Sequence, residues 1–304
     1  VRRRALVVRS GALGDILLLR RAVARLSSAG YAVHLVAPAG AGPALVGTGA
    51  SEVASWTASD APETAALWAA GGGCPDAIRR HLDTGAMALA FTHSAEVAAN
   101  LGAAGLAVVA RSPNPPPGCH AADWLSGALD ACALPAGVSP EPSLAFTSPE
   151  LAAARRWLDR LPRPFLAVHA GSGSPRKNWP ATRFASVARA LACGAPFLWV
   201  EGPADPPTEP SALDIPTWVP ARSLPLRTLA AVLAEASIYV GNDSGITHLA
   251  AAAGAPTVAL FGPTDPAQWA PIGQSVQALR ADSGRLEDLT VEQVVAAVGA
   301  VRAT

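Results

Sequence analysis

Asp243, Ser244, Gly245, Thr247 and His248 stand together in Tyr239–Trp269, YVGNDSGITHLAAAAGAPTVALFGPTDPAQW. An apolar run, Ser237–Val240, precedes them and an Ala-rich helical run begins among them, so they fall where a buried strand gives way to a helix. Exposed backbone N–H groups and the helix dipole favour an anion at such a start. Gly241, Ser244 and Gly245 are small enough for a phosphate to approach the backbone. His248 follows Ser244 by four residues and so shares its helix face, where it can donate to a phosphate oxygen or bond a neighbouring carbonyl. The chemistry implied is that of a nucleotide-diphosphate site.

A second polar run, HAGSGSPRKNWP, spans His169 to Pro180. Ser172, Gly173 and Ser174 can wrap a phosphate, and Arg176 and Lys177 can neutralise a pyrophosphate leaving group. A surface loop with incidental charge is the alternative, but two such runs in one half of the chain favour the phosphate reading. The Walker A spacing is absent. Glu201 and Asp205 follow another strand and can accept from ribose hydroxyls, while the backbone near Leu224 can read a base. Solvated loops account for these last three nearly as well. In the first half, Arg9-Ser-Gly-Ala-Leu-Gly-Asp15 is a turn after a strand, with Gly11 and Gly14 leaving it wide. Asp15 can cap the following helix, or it can act as a general base toward an attacking hydroxyl. His120 and Asp123 can line a site in this half, cap a helix or pack in the core. The six histidines lack metal-ligand spacing, no DxD motif occurs, and no GxSxG elbow marks a hydrolase.

These residues need elements to hold them. Ala5–Arg9, the glycine turn, a helix over Ile16–Leu26 and a strand at Val33–Val36 open a parallel doubly wound sheet. Met87–Phe91 and Leu106–Val109 read as further strands. A second series follows: a helix over Pro149–Leu161 with Ser148 as N-cap, a strand at Phe165–His169, a helix over Thr182–Leu191 and a strand at Pro196–Val200. Helices over Leu226–Ala234 and Val291–Val301 flank the opening motif and the strand Thr257–Phe261. Two alternating α/β halves predict two Rossmann-like domains with a cleft between them. At 304 residues, 50% hydrophobic and 15% charged, the chain can bury a substantial core. Zero formal net charge and the lack of a basic, aromatic surface argue against nucleic acid. Arg2, Arg3, Arg4, Arg20 and Arg21 form a local basic group, read as a solvated terminus or a membrane-surface contact. Cys74, Cys119, Cys132 and Cys193 are scattered without a CxxC pair, which fits a reducing cytoplasm. No apolar run reaches the roughly 18–20 residues that span a bilayer, and the start reads as a strand rather than a leader.

Three stretches, ALVVRSGALGDILLLRRAVARL, VHAGSGSPRKNWPATRFASVARAL and the Tyr239–Trp269 segment, resemble in order and spacing the blocks of the ADP-heptose:lipopolysaccharide heptosyltransferase family, glycosyltransferase family nine. Ala37 to Leu144 matches poorly, and that is where the family builds its acceptor surface. The resemblance implies a two-domain GT-B fold, with an acceptor-binding domain over 1–148 and a nucleotide-sugar-binding domain over 149–304. The last helix is free to pack back on the first domain. It implies an inverting, metal-independent transferase without a cofactor, acting in the cytoplasm with room for peripheral contact at the inner membrane face. The donor would be a nucleotide sugar, ADP-heptose first, and the acceptor a saccharide or glycolipid such as lipopolysaccharide core. The family's catalytic aspartate falls on Asp15, with Gly11, Gly14 and His120 on the acceptor side. Its phosphate-binding lysine falls on Lys177, preceded by Ser172 and Ser174. Its aspartate–hydroxyl–glycine–histidine set falls on Asp243, Ser244, Gly245 and His248, with serine where many members have threonine. The alternatives are another nucleotide sugar or acceptor on the same architecture, or a catalytically silent sugar-nucleotide-binding protein.

Overall fold

Ala5, Leu6, Val7 and Val8, expected as a strand buried on both faces, are at most 1% exposed at the centre of β1 (Arg3–Arg9) in the computed structural model. The structure describes residues 3–132, 134, 143–161, 163–192, 197–203, 205 and 218–303; Arg2, Cys193 and the predicted strand start at Pro196 lie outside them. The chain divides into two units, Val1–Ala145 and Phe146–Thr304. Both are Rossmann-like: parallel sheets with helical crossovers.

In the first unit β1 is followed by α1 (Leu13–Leu17), α2 (Arg20–Ser28), β2 (Tyr31–Ala37), β3 (Ser55–Ala58), α3 (Asp76–Arg79), β4 (Met87–Phe91), α4 (Ala95–Ala103), β5 (Ala107–Arg111) and α5 (Ala121–Ser126). The five strands are ordered β3-β2-β1-β4-β5 and are all parallel. Leu6, Val8, Val36, Ala88 and Ala90 pack against Ile78, Val97 and Leu101. The single helix expected over Ile16–Leu26 is instead two. Ile16, Leu17, Leu18, Leu19 and Arg20 are all at most 1% exposed, more consecutive side chains than one helix face can bury. The chain tightens there into a shorter turn, Leu19 N–H donating to Ile16 O at 3.1 Å. That turn buries Arg20, while Arg21 pairs with Asp123, so of the described members of the basic group Arg3 and Arg4 are the exposed ones.

The second unit runs α6 (Ser148–Leu158), β6 (Leu166–His169), α7 (Ala181–Ala192), β7 (Phe197–Glu201), β8 (Trp218–Arg222), α8 (Leu226–Leu233), β9 (Ile238–Asn242), α9 (Gly245–Ala253), β10 (Thr257–Phe261), α10 (Pro266–Trp269), β11 (Val276–Arg280) and α11 (Val291–Ala303). Its six strands are parallel in the order β11-β10-β9-β6-β7-β8. Thr147, not Ser148, caps α6. Its backbone N–H and its hydroxyl both donate to Glu150 Oε2, which also pairs with Arg227 of α8. Val168, Val240, Val258 and Leu260 form the centre of the core, and Trp179, Phe184, Val294 and Val298 cover it, so α11 is buried in its own unit. No helix among the described residues is long and apolar enough to cross a membrane.

Candidate functional site

At the end of β1 the chain must turn within a few residues to enter α1. Gly11 makes this possible with φ +145, and a Cβ there would sit 2.7 Å from Asp15 Oδ2. Asp15 Oδ2 accepts the Ala12 N–H at 2.9 Å, so the carboxylate does cap the helix start. Its Oδ1 takes a hydrogen bond from Arg9 Nη2 at 2.7 Å. Arg9 is itself 1% exposed and also donates to the carbonyls of Asp15 and Pro113, so the guanidinium is fixed and in turn fixes the carboxylate. Asp15 stays 30% exposed, accessible to a hydroxyl that must lose a proton. Capping and acid–base chemistry are therefore compatible in one side chain. His120 caps α5, its Nδ1 accepting the Ala122 N–H at 3.2 Å.

In the second unit the predicted strand–turn–helix is present. Asp243 and Ser244 link β9 to α9, and Ser244 is the N-cap, accepting from the Thr247 N–H. The capped helix leaves the N–H groups of its first residues, Gly245 and Ile246, outside its own ladder. Asp243, 8% exposed, holds the Lys177 ammonium at 2.8 Å on Oδ2 and accepts the Thr264 hydroxyl on the same oxygen. Lys177 thus reaches the turn that the sequence associates with phosphate, and Thr264 of the Gly-Pro-Thr-Asp-Pro loop joins it there. His248 lies one turn along α9 at 6% exposure. In the preceding loop Ser172 Oγ accepts the Ser174 N–H and has Ser174 O and Asn178 Oδ1 within reach of its single proton, which shapes the loop around Gly173.

Several contacts escaped the sequence reading. Asn242, fully buried at the end of β9, holds both ends of the His169–Pro180 loop, donating to Ala170 O at 2.7 Å and accepting the Trp179 N–H at 3.0 Å. His169, at the end of β6, bridges Asp205 and Ser244. A buried polar residue at a strand end was the available signal for both. Gly241 serves packing more than phosphate access: a Cβ there would lie 2.4 Å from the Tyr239 hydroxyl and 2.8 Å from Thr247 Oγ1. Burial pushes the Tyr239 phenol well above its usual range, so it remains a neutral hydrogen-bonding group. Asp205 is 13% exposed, and its carboxylate is taken up by His169 and Gly202. Glu201 is paired with Arg222 across β7 and β8. Leu224 is half-buried before α8. The structure therefore joins Lys177, Asp243, Ser244 and the start of α9, and gives Glu201 and Asp205 internal partners.

Comparison with known proteins identifies the family and the fold. Residues 130–297 match the family model for glycosyltransferase family 9 (heptosyltransferase). Lipooligosaccharide heptosyltransferase 2 of Haemophilus influenzae is 29% identical over 135 residues, 41% of this chain and 38% of that protein, so well under half of the relative's length is matched. The fold is similar to that of a glycosyltransferase family 9 protein from Veillonella parvula, with TM-score 0.79 and 18% identity over 99% of this chain and 97% of the other. It is also similar to an E. coli heptosyltransferase, WaaC, solved with ADP, at TM-score 0.70 and 20% identity over 98% and 99%.

Proposed function

The chain belongs to glycosyltransferase family 9, the heptosyltransferases, and we propose that it is an inverting transferase moving heptose from ADP-heptose to a saccharide acceptor of the lipopolysaccharide-core type. The observation that carries this reading is the meeting of Lys177, Asp243 and Ser244 at the start of α9, a cation and a helix terminus held at one strand end. ADP, present with the E. coli protein of similar fold, is the nucleotide such a site suits.

In this mechanism Asp15 takes the proton from an acceptor hydroxyl. The freed oxygen attacks the anomeric carbon on the face opposite the diphosphate, the carbon–oxygen bond to that diphosphate breaks, and the configuration inverts. Negative charge grows on the departing phosphate. Lys177, two of whose three ammonium hydrogens are not needed by Asp243, stabilises it with the Gly245 and Ile246 N–H groups and His248. These charges fill the role a divalent cation has in metal-dependent transferases, and metal-independent transfer is part of the proposal. The expected location is the cytoplasm, with peripheral contact at the inner membrane face as part of the proposal.

Incubation with ADP-heptose and a truncated lipopolysaccharide acceptor, followed by ADP release and product mass, tests the reading. Acceptor-dependent ADP release is the expected result. Release from a different nucleotide sugar alone would reassign the donor, and binding without turnover on any acceptor would leave a sugar-nucleotide-binding protein.

A further inference from the structure

The geometry points to His169 as a positioning residue of the donor site: it turns the Ser244 hydroxyl inward and so fixes which hydrogens at the start of α9 face the diphosphate. This deepens the donor reading above and rests on it. His169 is 3% exposed at the end of β6, and its two ring nitrogens meet residues from two different loops. Nε2 lies 2.8 Å from Asp205 Oδ2, which also accepts the Gly202 N–H at 2.6 Å. The carboxylate is wedged in place, since a Cβ on Gly171 would fall 1.9 Å from Asp205 Oδ1. Burial works to raise the Asp205 carboxyl, but the His169 and Gly202 hydrogen bonds hold it below its ordinary value. An ionised carboxylate only accepts, so Nε2–H donates to it. With the ring taken as the neutral Nε2–H tautomer, Nδ1 presents a lone pair.

Ser244 Oγ lies 3.2 Å from that Nδ1, and in this tautomer the serine is the donor. Two other hydroxyls compete: Thr247 Oγ1, also at 3.2 Å, whose own proton goes to Asn242 O, and the buried Tyr239 hydroxyl, which has its own proton to give to this cluster. With its proton directed inward, Ser244 Oγ keeps a lone pair on the Thr247 N–H as helix cap. The Gly245 and Ile246 N–H groups are then the donors left to a phosphate. Asp205, through His169, thereby sets the hydrogen-bonding polarity of the turn without touching the ligand.

The test uses the whole chain labelled with 15N-histidine. In the free protein His169 is expected as the Nε2–H tautomer, with an Nδ1 resonance that shifts in Ser244→Ala while the Nε2 resonance does not. ADP affinity by calorimetry supplies the second arm. His169→Gln keeps an amide near the Nε2 position and nothing at the Nδ1 position, and should bind ADP about ten-fold more weakly. His169→Asn places an amide near Ser244 and should recover most of that loss. In the Ser244→Ala background His169→Gln should cost less than three-fold more, because the shared contact is already gone. An Nδ1 resonance indifferent to Ser244→Ala overturns the inference. So does a loss that is equal for Gln and Asn and additive with Ser244→Ala, which is the signature of packing alone. A wild-type chain that fails to bind ADP while Nδ1 still responds to Ser244→Ala removes the donor reading, and with it the ligand-facing half of this inference.

Discussion

Asp15 and Lys177 each carry a charge already matched by a neighbour, Arg9 in one case and Asp243 in the other, and the two pairings predict different losses. Asparagine at 15 can still accept the Ala12 N–H and keep α1 capped, but it cannot take a proton. Asp15→Asn should lower transfer by about 10²–10⁴-fold, the range of a lost general base. ADP affinity should stay within a few-fold, because the proposed diphosphate ligands all belong to the second unit. Transfer at the wild-type rate would end the assignment of Asp15 as base. Lys177→Ala acts differently. It strips the cation from a buried carboxylate and leaves Asp243 as an unpaired anion where phosphate should bind. ADP affinity measured by calorimetry should fall by at least about ten-fold. The double variant Lys177→Ala/Asp243→Asn should bind better than Lys177→Ala alone, which simple loss of a phosphate contact does not predict.

At the scale of elements, the loop between β6 and α7 is shaped from outside itself. Asn242 reaches Trp179 and Ala170, 63 and 72 residues away in sequence, and both bonds are buried or nearly so. Asn242→Ala leaves a backbone N–H and a carbonyl without partners, at a cost of about 2–4 kcal/mol. Urea denaturation should show that loss, and amide exchange should quicken across residues 170–179. An unchanged midpoint would mean that the loop holds itself. The same example shows what a sequence reading can reach. β1, β4, β9 and β10 are legible because burial on both faces demands unbroken apolar runs such as VALF. The edge strands β3, β8 and β11 are mostly half-exposed, carry SWTA, WVPAR and VQALR, and give no such run. Pro220 even removes a ladder donor in β8, which an edge position tolerates. Lys177, Asp243 and Ser244 were legible because local turn chemistry marks them. The roles of Asn242 and His169 depend on partners that only the folded sheet brings near.

At the scale of the whole molecule, two units with separate cores need not respond alike to pH. The first unit buries His34 at 2% exposure between Ser55 Oγ at 2.8 Å and Thr57 Oγ1 at 2.9 Å, with the His81 ring stacked 4.0 Å away. Burial first, then the charges of His81, Arg4 and Arg80, push His34 down to about 3. The unfolded chain would take up this proton near pH 6.5. Between those values the unfolded state binds more protons, so stability falls as pH falls, by up to about 2 kcal/mol at pH 5. His81, also lowered by burial, acts in the same direction. Two carboxylates of the second unit behave otherwise. Asp205 and Glu150 lie below their ordinary values, so what they contribute is present above about pH 5 and is lost progressively as pH falls below it. Calorimetry at pH 7 and pH 5 should therefore show the transition of the first unit moving down by several degrees. ADP should raise the transition of the second unit alone, since its proposed site lies wholly there. His34→Gln should flatten the pH dependence of the first. A first transition that does not move, or whose slope survives His34→Gln, would show that the acid response does not originate at His34.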